Sequence, residues 1–222
     1  MPMPSAPRNI CEMAQTLLSE GLCTDHSGCL SARVGGRLWI TPEDTKLSEL
    51  TPDALSVVDL ATCTPLEGPR PDRRFALHRA LYKKRKHLGA LLHADPLSIL
   101  TASRAGRDVP PLLDDMAQLV GISARIAQSW PCRGTAPVIA AMRGRNAVLL
   151  KYSGALCGAG TFDDAHAVAQ VLEKNCKAVI EATFLGGGIT INRGEALLMR
   201  TVYQLTYARQ NTKNVPSMVK VG

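Results

Sequence analysis

The sequence predicts an α/β fold: a single domain of three layers, with a mixed, mostly antiparallel central sheet flanked by helices. Three observations carry this expectation. Stretches with apolar residues at helical spacing alternate with short apolar runs of strand length. The first two strand-like runs face each other across Gly35-Gly36, a pair suited to a hairpin turn. No G-x-G-x-x-G follows a strand and no G-x-x-x-x-G-K-S/T exists, which argues against a doubly wound nucleotide-binding architecture. A chain of 222 residues can bury one sizeable core, and 45% hydrophobic against 20% charged residues excludes a disordered chain.

In order, residues Arg8–Glu20 read as a helix with Ile10, Met13, Ala14, Leu17 and Leu18 on one side, stopped by Gly21. Gly28–Val34 and Arg37–Thr41 form the hairpin strands, and Leu55–Asp59 is another strand. Pro71-Asp72 opens a helix running to about Lys86, with Asp72 as its cap and Leu77, Ala80, Leu81 and Tyr82 inward. Leu88–His93 reads as a buried strand, Pro96–Ser103 and Pro111–Val120 as helices, Ile122–Gln128 as a strand and Gly134–Met142 as a short helix. Ala147–Lys151 and Ala155–Cys157 pair across Ser153-Gly154. Phe162–Phe184 is the longest helix, ended by Gly186-Gly187-Gly188. The stretch Gly154 through Gly160 is spaced for neither phosphate loop and reads as turn and tight packing. A last helix spans about Gly194–Gln210, so that residues 1–210 form the domain and 211–222 a polar C-terminal tail.

The net charge of +7 is concentrated. Between Arg70 and His87 stand eight Lys or Arg residues against one acid, Asp72, so these residues carry the whole excess. With 4% aromatics there is little to stack bases on, and a solvated helix face is expected rather than a nucleic-acid surface. The seven cysteines are scattered without a C-x-x-C pair, against a disulfide framework or structural zinc site. No apolar run approaches the ~20 residues a membrane helix needs, and Met1-Pro2-Met3-Pro4 has no signal-peptide pattern. The expected location is cytoplasmic, without membrane contact.

Several segments share one order: Gly28-Cys29-Leu30-Ser31-Ala32-Arg33, Ile40-Thr41-Pro42, Leu50-Thr51-Pro52-Asp53, Val57-Val58-Asp59-Leu60, Pro71 through His78, then His93, and Val148 through Gly154 before Gly158 and a long helix. Over residues 10–185 this set resembles the class II aldolase/adducin family. The resemblance implies a divalent metal, usually zinc, on three histidines, polarising a carbonyl and stabilising an enediolate. Two ligands form an H-x-H pair and the third sits in an N-H-G-like turn. It also implies a glutamate acid/base in a P-S-S-E-like segment, phosphate held by G-N-x-S and T-P-S-G segments, a tyrosine proton donor from a neighbouring subunit, and a homotetramer.

Set against that pattern, His93 is kept but Asp95 replaces the second histidine of the pair, and Ser153 stands for the third. Arg74 replaces the glutamate, Cys29 the phosphate-site Asn, Glu43-Asp44 the Ser-Gly, and Asp114 falls at the tyrosine position. An arginine cannot serve as a base at neutral pH, and it repels a dication. The expected reading is a non-catalytic or repurposed small-molecule-binding or interaction domain with no cofactor. Arg74, His93, Asp95 and Ser153 are its candidate ligand-binding residues, Arg74 anchoring a small anion. His93 and Asp95 are weak metal candidates, which matter if the alternative holds: a lyase or epimerase acting on a sugar phosphate through a rearranged divalent-metal site such as zinc. A nucleic-acid binder working through the basic helix is the third reading. The structural alternatives are Asp95 as a helix cap, Arg74 as a solvated first-turn residue, Ser153 as a turn residue, His93 as a core histidine, and Glu43, Asp44 and Asp114 as solvated loop acids; His78 packs in the helix and Cys29 is buried and inert.

Overall fold

The computed structural model describes residues 6–128 and 134–213. Helices α1 (Ala6–Ser19), α2 (Phe75–Lys84), α3 (Leu97–Ala105), α4 (Ala136–Ala141), α5 (Phe162–Phe184) and α6 (Arg193–Lys213) surround strands β1 (Leu30–Val34), β2 (Arg37–Ile40), β3 (Ser56–Asp59), β4 (Pro65–Glu67), β5 (Ala90–Ala94), β6 (Arg125–Ala127), β7 (Ala147–Leu150) and β8 (Ala155–Ala159). The eight strands form one sheet in the order β4-β3-β2-β1-β5-β8-β7-β6. Every pairing is antiparallel except β6 with β7. The mixed, mostly antiparallel sheet expected from the sequence is therefore present.

Three layers follow from strands that are apolar on both faces. Leu92 and Leu149 join Leu17 of α1 and Val168 and Leu172 of α5 in one core. Leu91, Val148 and Leu150 join Leu77, Leu81 and Tyr82 of α2 and Val138 of α4 in the other. Alternate residues of a strand point to opposite faces, so one run such as Ala90–Ala94 feeds both cores. The β1–β2 hairpin turns at Gly35, whose φ of 59° is the left-handed conformation glycine adopts without penalty.

Several boundaries differ from expectation, each for a visible reason. α2 begins at Phe75 rather than Pro71, because residues 71–74 are drawn into other bonds: Pro71 bridges Pro42, and the Asp72 carboxylate accepts the Arg74 N–H at 2.7 Å. The helix expected over Pro111–Val120 shrinks to a π-type turn over Met116–Val120 preceded by Asp114 and Asp115. The amides of Leu112 and Leu113 are taken by the Asn175 side chain of α5, which holds the segment before it irregular. β4 was not anticipated; its three residues are exposed, one is proline, and it pairs only with β3 at the sheet edge. α6 reaches Lys213, so the first residues expected as tail are helical, while residues 214–222 lie outside the described residues. No helix among the described residues is long and apolar enough to cross a membrane.

Candidate functional site

The site lies where the carboxyl end of β5, the β7–β8 turn and the approach to α2 converge. Each delivers one of the candidate residues for a local reason. β5 places His93 on the same face as Leu91, toward α2, and leaves it 5% exposed. The β7–β8 turn carries Tyr152 and Gly154 at φ of 65° and 77°. A Cβ on Gly154 would stand 2.4 Å from the Ala94 carbonyl oxygen, so glycine is what lets this turn close on the end of β5. The Asx turn at Asp72 swings Arg74 inward. Arg74, His93, Asp95 and Ser153, together with Ser27, Asp72, Arg73, Glu43 and Asp44, border a cavity of about 560 Å³.

Arg74 is the centre of this cavity's wall. Its Nε and Nη2 donate to the two Asp72 carboxylate oxygens at 2.9 and 2.7 Å. Nη1 donates to the Ser27 carbonyl at 2.7 Å and to Nδ1 of His93, and Nη2 reaches the Gly28 carbonyl at 3.3 Å. All five guanidinium N–H groups thus have acceptors within the chain. With 21% of its side chain exposed, Arg74 is not the solvated first-turn residue that was one expectation. The anion-anchoring role expected of it finds no free donor to carry it.

His93 is fixed from both sides. Nδ1 accepts from Arg74, so the ring proton lies on Nε2, which donates to the Ser153 main-chain carbonyl. Burial first and the Arg74 charge second push its pKa down to about 4, leaving a neutral imidazole at pH 7. Ser153 therefore enters through its carbonyl rather than its hydroxyl. Burial alone would raise the Asp72 carboxyl, but the Arg74 bonds outweigh it and hold Asp72 below the ordinary carboxylate range.

Two acids do something other than expected. Asp95 does not cap α3; it accepts from the Ser27 hydroxyl at 2.7 Å. The cap comes instead from Glu173 of α5, which takes the Ser98 and Ile99 amides at 3.1 and 2.8 Å. Glu43 is not a solvated loop acid: its carboxylate, 9% exposed, pairs with Arg70 at 3.0 Å and with Arg73. Asp44 and Asp114 are exposed, as expected, and Asp114 borders a different hollow, beside Asp115 and Lys174.

Behind the cavity, His78 is fully buried and shares a 2.7 Å hydrogen bond with the Ser31 hydroxyl, which also meets the Tyr82 hydroxyl at 3.0 Å. Cys29 lies 3.8 Å from the other His78 nitrogen, and burial raises its thiol to about 12, the mark of an unreactive sulfur. The six described cysteines are free; Cys132 lies outside the described residues. Asp72 and Ser27 were missed as site-shaping groups. Only the i,i+2 spacing of Asp72 and Arg74 hinted at one of them.

The fold has counterparts among known proteins. Residues 8–180 match the family described as Class II Aldolase and Adducin N-terminal domain, and the chain belongs to it. Among curated proteins it is 31% identical over 94 residues to a 5-methylthioribulose-1-phosphate/5-deoxyribulose-1-phosphate aldolase of Escherichia coli, covering 42% of this chain and 44% of that one. It is 29% identical over 117 residues to a 3-oxo-tetronate 4-phosphate decarboxylase of Cupriavidus necator, covering 50% and 54%. The matches thus span about half the length of these curated relatives. Among solved structures, an L-fuculose 1-phosphate aldolase superposes with a TM-score of 0.84 at 23% identity, covering 91% of this chain and 98% of that one. The L-fuculose-1-phosphate aldolase of Thermus thermophilus gives 0.69 at 22% identity, covering 82% and 97%. At these identities the structures speak for the fold.

Proposed function

We propose that this member of the class II aldolase superfamily no longer runs zinc-dependent aldol chemistry and instead binds a small polar molecule in the cleft without a resident divalent metal. One observation carries the reading: the Arg74 guanidinium, with all five donors satisfied, rests on His93, the only histidine retained from the expected ligand set. The donor set does not fit a divalent metal. His93 spends its lone pair on Arg74 and its proton on the Ser153 carbonyl, and the adjacent fixed cation repels a dication. Nor does Arg74 fit the base that the glutamate would supply.

The ligand class follows from what remains available. A phosphate anchored by Arg74 would have to displace Asp72, a main-chain carbonyl or His93. Asp44 and Asp95 bring carboxylates to the same cavity, and these accept hydrogen bonds from hydroxyl groups. A small hydroxylated, uncharged carbon chain suits that lining, whose exposed cation, Arg73, is already paired with Glu43. A homotetramer and a cytoplasmic location belong to the same proposal, on the family resemblance.

The test is metal analysis of the purified protein together with thermal unfolding in the presence of simple polyols and ketoses. Zinc below a tenth of stoichiometric after dialysis (about tenfold under one per chain) and a saturable shift with an unphosphorylated sugar are expected. Stoichiometric zinc that survives dialysis, with a chelator-sensitive activity, would sink the proposal. A second reading, a lyase or epimerase on a sugar phosphate with a metal on His93 and Asp95, draws support from the two curated relatives, an aldolase and a decarboxylase. Retro-aldol screening against ketose phosphates separates the two: turnover that His93→Ala abolishes would favour the second.

A further inference from the structure

At the opposite end of the sheet lies a second charged site that the cleft does not use. Arg85 follows α2 and precedes β5, Arg145 precedes β7, and Arg200 comes from α6, so three elements bring guanidinium groups to the amino ends of β5 and β7. Arg145 and Arg200 are 5% and 6% exposed. Every acceptor they find is neutral. Arg85 donates to the carbonyls of Met142 and Arg145 and to His87. Arg145 donates to the Ser123 carbonyl and hydroxyl and to the Arg143 carbonyl at 2.7 Å. Arg200 donates to the carbonyls of Gln118 and Leu119 and to Asn146. No Asp or Glu forms an ion pair with any of the three among the described residues; Asp108, paired with Arg125 at 3.9 Å, is an acid whose charge reaches Arg145.

Buried charges in proteins are ordinarily paired, since removing an ion from water without a counter-charge is costly. Here three cations share one region with no acid of their own, since Asp108, which bears on Arg145, is already paired with Arg125. The strain registers in their acidity: burial first, then repulsion from Arg85 and Arg145, lowers Arg200 to about 10. Arg145 is lowered by burial and then by Arg125, and Arg85 by burial. Each guanidinium also keeps two of its five N–H groups without an acceptor among the described residues, one of them Nε in both Arg85 and Arg200. Forked donors of this kind match tetrahedral oxyanions.

We propose that Arg85, Arg145 and Arg200 form an anion site, separate from the cleft, that takes a phosphate-type oxyanion. The oxyanion supplies the missing counter-charge and occupies the unused N–H groups, tying α6 to the sheet through Arg200. The test uses the full chain, with inorganic phosphate as the probe and chloride at matched ionic strength as the control. Expected are a saturable rise in unfolding temperature with phosphate alone, and a phosphate affinity weakened at least about tenfold in Arg200→Gln and in Arg85→Gln. Arg73→Gln, which removes a cation of the cleft, should leave that affinity unchanged. Should the buried variants fail to fold, Arg193→Gln serves: it is an exposed neighbour whose charge bears on Arg145, and about threefold weakening is expected. An effect of phosphate equal to that of chloride overturns the proposal. So does loss of binding in Arg73→Gln with retention in Arg200→Gln, an unchanged affinity in Arg193→Gln, or stabilisation that follows protein concentration rather than phosphate.

Discussion

Arg74 and Asp72 hold each other where water reaches neither well, with side chains 21% and 14% exposed. Removing one such partner leaves the other charge uncompensated, which typically costs ~3–5 kcal/mol. Arg74→Met is accordingly expected to lower unfolding free energy by roughly 3 kcal/mol in a urea titration, and Asp72→Asn in the Arg74→Met background should recover part of it. His93 and His78 make the fold sensitive to acid. Each is neutral in the folded chain, with pKa values near 4 and 3, while the unfolded chain titrates near 6.5. Between those values the unfolded state binds more protons, so stability is full above about pH 6.5 and declines as pH falls toward 4, by ~1.4 kcal/mol per pH unit for each group. Denaturant midpoints at pH 7 and pH 5 should differ accordingly, and His93→Asn should shrink the difference. At this scale the sequence was only partly legible. That His93 and Arg74 face one cleft could be inferred from the resemblance, but their bond to each other could not. It depends on the loop at Ser27 and the turn at Asp72 meeting in space, 47 and 2 residues from Arg74 in sequence.

Elements were easier to read than their ends. The periodicity of α1 and α5 and the glycine hairpin of β1 and β2 are local signals, and both survived. The starts of α2 and α3 are set by distant side chains or by turns, which no window of sequence contains. Glu173 shows the point: it caps α3 from α5, 75 residues away from Ser98. Glu173→Ala is expected to cost about 1 kcal/mol, the worth of an ordinary helix cap, readable as a lower thermal midpoint. Gly154→Ala joins two penalties, a φ of 77° and a Cβ at 2.4 Å from the Ala94 oxygen. A loss of roughly 1–3 kcal/mol is expected, together with a displaced Ser153 carbonyl; because that carbonyl holds the His93 pKa up, its loss should lower the value further in an NMR titration.

Over the whole molecule, the concentrated positive charge takes on a different meaning. Of the eight basic residues from Arg70 to Lys86, the five arginines all have acceptors in the chain: Glu43 for Arg70 and Arg73, Asp72 for Arg74, the Leu60 and Ala61 carbonyls for Arg79, and Met142 and Arg145 for Arg85. The exposed part is Lys83, Lys84 and Lys86, together with Arg70 and Arg73, which share the single carboxylate of Glu43. So few cations neutralise few phosphates, and no shift of a duplex oligonucleotide is expected at about 0.15 M salt; binding seen at low salt should vanish by then. Composition could report the charge but not its employment, because arginine bonds to carbonyls leave no trace in a count.

The lock on His93 has one more consequence, for how such a protein lives with its surroundings. A cation carried on a side chain cannot be washed out, traded for iron or manganese, or lost when supplies run short. Its stoichiometry is set at translation. Prolonged treatment with a strong chelator should therefore leave the unfolding temperature where it was, whereas Arg74→Met, which deletes the tethered charge, should lower it.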